Sequence, residues 1–301
     1  MVEDKLLQAL IVKPGSKAKL ADRDTAWAGI GGSKGLAKDV AKQQAREALA
    51  HDLAELTKAQ DLLYASASRS VLIVLQAMDA AGKDGTIKHV MSGVNPQSCR
   101  VFSFKQPSTE EKSHDFLWRY NRCLPERGFL GIFNRSYYEE VLVVRVHPEF
   151  LGRDAIAATE KKSGSDFWRG RFEDINAFEH HLTRTGTTVL KFFLHLSKKE
   201  QKKRLLERLA DPAKHWKFSA NDLSERARWS DYMDAYEAAL TATSTEWAPW
   251  YVIPADHKWV ARTAVADILT QTIRSFDLHY PTLPPDKEAA LEVARRQLEE
   301  E

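Results

Sequence analysis

Five short apolar runs punctuate this chain: SVLIVLQ (70–76), RVFSF (100–104), FLGIF (129–133), TVLKFFLH (188–195) and WYVIP (250–254). Each is a few residues long, bounded by polar or turn-forming residues, and rich in branched and aromatic side chains. That is how a strand buried on both faces of a parallel sheet reads. Helix-patterned segments fill the intervals, over 85–92, 109–123, 167–185, 198–209, 223–243 and 259–279. A longer one starts at Ser33, with Leu49, Leu53, Leu56 and Leu63 at roughly helical spacing. Alternating strands and helices, joined by right-handed crossovers, leave one economical solution. The prediction is an α/β fold, three layers α/β/α around a five-stranded parallel sheet. Ligands of such sheets bind beyond the carboxyl ends of the strands, so the loops after each run are where chemistry is sought.

The chain has 301 residues, enough for one large domain or two modest ones. Residues 1–33 read as an irregular extension, broken by Pro14, Gly15, Gly29, Gly31 and Gly32. Residues 34–285 read as the catalytic domain, with a lid at about 197–222, and residues 286–301 as a charged tail. A net charge of +2 argues against general nucleic-acid affinity. With no apolar run of membrane-spanning length and no secretory leader pattern, neither nucleic acid nor membrane is expected as a partner. Two cysteines, Cys99 and Cys123, are too few for a disulfide framework or a zinc cage, and a reducing, cytoplasmic setting is expected.

The first run leads into VLQAMDAAGKDGTIKH (74–89). This is close to the phosphate-loop pattern G-x-x-x-x-G-K-[ST], with Ala77 in place of the first glycine and Asp84 in place of the hydroxyl residue. Strand, loop and helix follow in the order that such a loop requires. Backbone N–H groups at a helix start favour anions, so Ala80, Ala81, Gly82, Lys83, Asp84 and Gly85 are the expected phosphate contacts. Asp79 would repel phosphate unless a cation sat between them. Magnesium takes one or two carboxylates plus phosphate oxygens, so Asp79 is the candidate metal or proton-accepting carboxylate. Asp84 reads as the acid of the first helical turn.

A second polar cluster, GIFNRSYYEEV (131–141), erupts at the end of the third run. Arg135 can fork two phosphate oxygens, and Ser136 with Glu139 has capping-box spacing. Between the two clusters lie Lys105, Arg119 and Arg122; the two arginines, three apart, are expected to share a helix face along an anionic channel. After the fourth run, Ser197 and Glu200 form a second capping box. Arg204 and Arg208 follow as lid arginines of the kind that stabilise phosphoryl transfer, with Lys217 nearby and Asp222 as an expected N-cap. Asn134, Arg135, Glu139 and Lys217 are the candidate nucleotide contacts.

Taken together, LQAMDAAGKDGTIKHV, GVNPQS, EEKSHDFLWR, GIFNRSYYEEVLVVRVHPE, FFLHLSKKEQKKRLLERLADPAKHWKFS and TSTEWAPWYVIPADHKW resemble the polyphosphate kinase 2 family, over about residues 36–280. The resemblance implies a P-loop kinase-like fold with a helical lid. It further implies magnesium-dependent transfer of a terminal phosphate between inorganic polyphosphate and a nucleoside mono- or diphosphate, in a homodimer or homotetramer. By position, Asp79 matches the family's loop aspartate, Lys83 its loop lysine, Arg135 the arginine after the third strand, and Arg204 and Arg208 lid arginines. Some members carry Asp where this chain has Asn134, which shifts metal binding toward Asp79. Two other readings stay open at this point: an ATP-dependent nucleotide or nucleoside kinase of thymidylate-kinase-like fold, and an inactive phosphate-binding scaffold.

Overall fold

The computed structural model describes residues 8–29, 35–151 and 164–301. Strands β1 (Ser70–Gln76), β2 (Cys99–Ser103), β3 (Leu130–Asn134), β4 (Thr187–His195) and β5 (Trp250–Pro254) form one sheet in the order β2-β3-β1-β4-β5. Every neighbouring pair is parallel. Alternate residues of β1 enter opposite cores, as a period of two requires. Val71, Ile73 and Leu75 join one cluster, and Leu72 and Val74 the other. Helices α1 (Lys38–Ser66), α2 (Lys83–Val90) and α7 (Lys258–Arg274) cover the first face. Helices α3 (Ser165–Arg184) and α6 (Trp229–Thr243) cover the second. Three layers around five parallel strands are therefore present as predicted. The chain builds to one side of β1 with β2 and β3, and to the other with β4 and β5, so the end of β1 is the topological switch point.

Three expectations need correction, and the charged tail gains a structure. The helix expected over 109–123 is only a 3₁₀ turn at Glu111–Ser113 and one helical turn at Trp118–Asn121. Ser108 and Glu111 form a capping box that starts the first turn, but Asp115 Oδ1 accepts from Leu117 N at 2.9 Å and interrupts the run. The helix expected over 223–243 is two, α5 (Asn221–Ala227) and α6, parted at Arg228, whose guanidinium donates to Val146 O at 3.1 Å. The C-terminal tail is a helix, α8 (Pro285–Glu299), with no buried residue. The N-terminal extension, read as irregular, holds helical residues at 8–10 and a 3₁₀ turn at Leu20–Asp22, and its described part is a strap fastened to the sheet edge. Ile11 bridges Tyr251, Val12 N donates to Trp250 O at 2.9 Å, and the Arg23 guanidinium donates to the carbonyls of Ala9, Leu10, Ile11 and Ala18. Residues 1–7 and 30–33 of that extension, including the helix start expected at Ser33, lie outside the described residues.

Candidate phosphate-transfer site

β1 delivers the chain into the loop at residues 77–82, and α2 begins at Lys83. Gly82 caps the helix at φ 108°, a conformation that side chains disfavour, and Ala80 sits at φ 62°. Gly82 takes that conformation without steric cost, whereas Ala80 stores strain of the kind that marks binding loops. Together they fold the loop into a concave turn whose last amides, at the start of α2, have no helical acceptor.

Lys83 Nζ donates to Ala77 O at 2.8 Å, so the ammonium lies across the loop mouth. Burial, and then the neighbouring Arg135, push its pKa down to about 8. Arg135, at φ 64°, spans the site. It donates from Nη2 to Asp79 Oδ1 at 2.9 Å and from Nη1 to Glu139 Oε2 at 3.2 Å. Glu139, chiefly, raises the Arg135 pKa, so the guanidinium stays charged. The other Glu139 oxygen accepts from Gln76 Nε2 at 3.1 Å, and Tyr236 is buried beside this pair. Glu139 therefore orients Arg135 and does not close a capping box. Ser136 Oγ does cap its short helix, accepting from Tyr138 N at 3.2 Å. Asn134, at the end of β3, donates to Asp84 Oδ1 at 2.8 Å, which ties the strand tip to α2.

α4 (Lys198–Ala210) follows β4 and opens the segment expected to act as a lid. Ser197 Oγ accepts from Glu200 N at 3.0 Å, as a cap should, but the Glu200 carboxylate turns to Arg204 instead of back to Ser197. The Ser197 amide is taken by Asp256 Oδ1 at 2.8 Å. Arg204 is buried against the phosphate loop and donates to main-chain carbonyls. Arg208 pairs with Asp222 Oδ2 at 2.8 Å and donates to Lys217 O at 3.0 Å, so it ties α4 to the segment that leads into α5. Asp222 lies inside α5 instead of capping it, and burial, then the nearby Asp79, push its pKa up. Lys217 is exposed, its ammonium 4.8 Å over the Trp216 ring.

Arg119 and Arg122 do not share an open face. Arg119 is 8% exposed and donates to Lys105 O at 2.8 Å, with Glu140 at 3.6 Å. Arg122 lies outside, over the Trp118 ring, and the Lys105 side chain is exposed. The sequence reading therefore brings Asp79, Lys83, Asn134, Arg135 and Glu139 into one site with the loop. It missed Gln76 and Gln201, both buried, and Arg262, whose Nη2 lies 3.6 Å from where a Cβ on Gly85 would be. Gln76 carried a signal, being a polar residue that ends an otherwise apolar strand at its carboxyl edge.

The family model for polyphosphate kinase 2 matches residues 39–280. The chain belongs to the polyphosphate kinase 2 family. Among its relatives is an ADP-polyphosphate phosphotransferase of Rhodopseudomonas palustris, 53% identical over 257 residues, covering 85% of this chain and 89% of that one. An AMP/ADP-polyphosphate phosphotransferase of Meiothermus ruber is 49% identical over 240 residues, covering 80% and 85%. The crystal structure of polyphosphate kinase 2 from Arthrobacter aurescens superposes with a TM-score of 0.83 at 41% identity, covering 95% of this chain and 96% of that chain. As a polyphosphate kinase 2 family member the chain is a phosphotransferase of P-loop kinase-like fold. Within it, the motif-bearing loops converge at the carboxyl end of β1.

Proposed function

We propose that this protein transfers a terminal phosphoryl group between inorganic polyphosphate and AMP, ADP or GDP. One observation carries the reading beyond family membership: the Asp79–Arg135 pair, at 2.9 Å, stands at the mouth of the loop beside Lys83. Two cations and one carboxylate around a ring of amides suit a reaction in which phosphate meets phosphate. The nucleotide's terminal phosphate oxygen attacks the end phosphorus of the chain in line. The bridging P–O bond breaks, and polyphosphate leaves one unit shorter. The nucleophile belongs to the substrate, so no covalent enzyme intermediate is needed. Lys83 and Arg135 neutralise the negative charge that builds on the transferred oxygens.

The residues fit magnesium in the form that phosphate enzymes use. Among the described residues no group of three or more His, Cys, Asp or Glu is arranged to cage a metal. Asp79 offers a single carboxylate, and magnesium commonly takes one or two carboxylates together with substrate phosphates. Bound there, the ion would supply charge neutralisation between donor and acceptor oxygens.

The test is to mix protein, magnesium, ADP or AMP and long-chain polyphosphate, and to measure ATP or ADP formed. Product from polyphosphate supports the proposal; turnover only with ATP as donor would assign an ordinary nucleotide kinase, and none at all a scaffold. Lys83→Met should lose about 10²–10³ in rate, and full activity in that variant contradicts the assignment.

A further inference from the structure

Three successive carbonyls of the phosphate loop are held by two side chains one turn apart on α4. Gln201 Nε2 donates to Asp79 O at 3.0 Å. Arg204 Nη1 donates to Ala80 O at 3.3 Å and to Ala81 O at 2.7 Å. Arg204 Nη2 donates to Ala255 O at 2.6 Å and Asp256 O at 3.1 Å, beyond β5, and Nε to Glu200 Oε1 at 3.0 Å. A guanidinium has five N–H donors, and here every one has an acceptor. Arg204 is 6% exposed and Gln201 1%. The Gln201 carbonyl is itself fixed by Arg226 Nη1 at 2.8 Å.

In a planar trans peptide the carbonyl and the next residue's N–H point opposite ways. Pulling the Asp79 and Ala81 carbonyls toward α4 therefore turns the Ala80 and Gly82 amides away from it, into the concave side of the loop. The Ala81 amide is spent locally on Met78 O at 3.3 Å. We infer that Gln201 and Arg204 are positioning residues that set the amide cradle in advance, and that Arg204 does not lend its charge to the transferred phosphate. This rests on reading the loop as the phosphate cradle, and it reassigns a residue that the family resemblance placed among the charge-stabilising arginines.

The experiment reads the ligand-free protein first. Hydrogen exchange of the Ala81 and Thr86 amides, which donate to Met78 O and Gly82 O, should quicken by about tenfold or more in both Arg204→Lys and Gln201→Ala, because the loop carbonyls lose their fixed partners. Lysine keeps the charge but lacks the planar fork needed to reach both loops. Arg204→Lys should therefore be as impaired as Arg204→Gln, with KM for polyphosphate raised by about tenfold and KM for the nucleotide unchanged. Gln201→Ala removes one neutral hydrogen bond, and decides the matter if the Arg204 variants fail to fold. Wild-type exchange in Gln201→Ala, or recovery of polyphosphate turnover by Arg204→Lys to within about twofold of wild type, overturns the inference. Exchange is measured without substrate, so this outcome is separate from whether polyphosphate is the donor.

Discussion

A half-buried lysine crowded by a guanidinium gives up its proton early, and Lys83 is so placed. Its pKa, lowered to about 8, means that the free enzyme loses this charge as pH rises through 8. The profile of kcat/KM for polyphosphate reports the free enzyme, so it should fall above about pH 8. In Lys83→Arg, whose guanidinium stays charged, that limb should vanish. The same shift makes folding stability rise with pH between about 8 and the usual lysine value of 10.5, because the unfolded chain binds more protons there. Gly82 is the second residue with a sharp expectation. At φ 108° it holds a backbone that alanine adopts only under strain. Gly82→Ala should cost about 1–3 kcal/mol in denaturant unfolding and weaken binding of phosphate chains.

At the level of elements, two buried polar contacts join helices to the sheet or to each other. Lys191, in the middle of β4, pairs with Glu179 of α3, and neither is exposed to solvent. Lys191 also donates to Tyr138 OH at 3.0 Å and Thr243 O at 2.6 Å, while Tyr137 OH donates to Glu179 at 2.8 Å. Strand, α3, α6 and the turn that carries Glu139 thus meet at one ion pair. Removing one partner strands a buried charge, so Lys191→Met should destabilise by about 3–5 kcal/mol, with part recovered on adding Glu179→Leu. Urea unfolding of the two variants checks this. Asp52 lies buried between α1 and α7; burial first, and then Asp267, raise its pKa to about 6. A carboxyl raised in this way is a penalty when ionised. Stability should fall as pH rises from about 4 to 6, and Asp52→Asn should gain roughly 1–2 kcal/mol at pH 8 and nothing at pH 4.

For the whole molecule, the two ends of the chain contrast. The strap buries Leu10, Val12, Ala18 and Leu20 against the sheet edge and α6, whereas α8 buries nothing. Deleting residues 1–29 should cost roughly 4–6 kcal/mol, from three large apolar side chains returned to water. Deletion after Thr282 should leave the melting temperature unchanged. Calorimetry of the two truncations distinguishes the ends. Much of this architecture was legible in the chain itself. Each strand is a short branched run with polar limits, and periodicity is a local property, so the sheet and its switch point could be read directly. That Asp79, Lys83 and Arg135 come together was legible too, because each lies on a motif at a strand's carboxyl end. The helix expected at 109–123 was misread because Asp115 takes the Leu117 amide and interrupts the run, and at the break between α5 and α6 Arg228 is anchored to a carbonyl far away along the chain, Val146 O. The amino-acid sequence by itself determined the fold class, the place of the phosphate loop and the family. Only the tertiary structure decided how each arginine is spent: Arg135 across the site, Arg204 on loop carbonyls, Arg208 between α4 and α5 and Arg119 in the interior. The physical reason is that a guanidinium's role depends on which acceptors packing brings within about 3 Å, and for Arg204 those acceptors lie on loops far away along the chain.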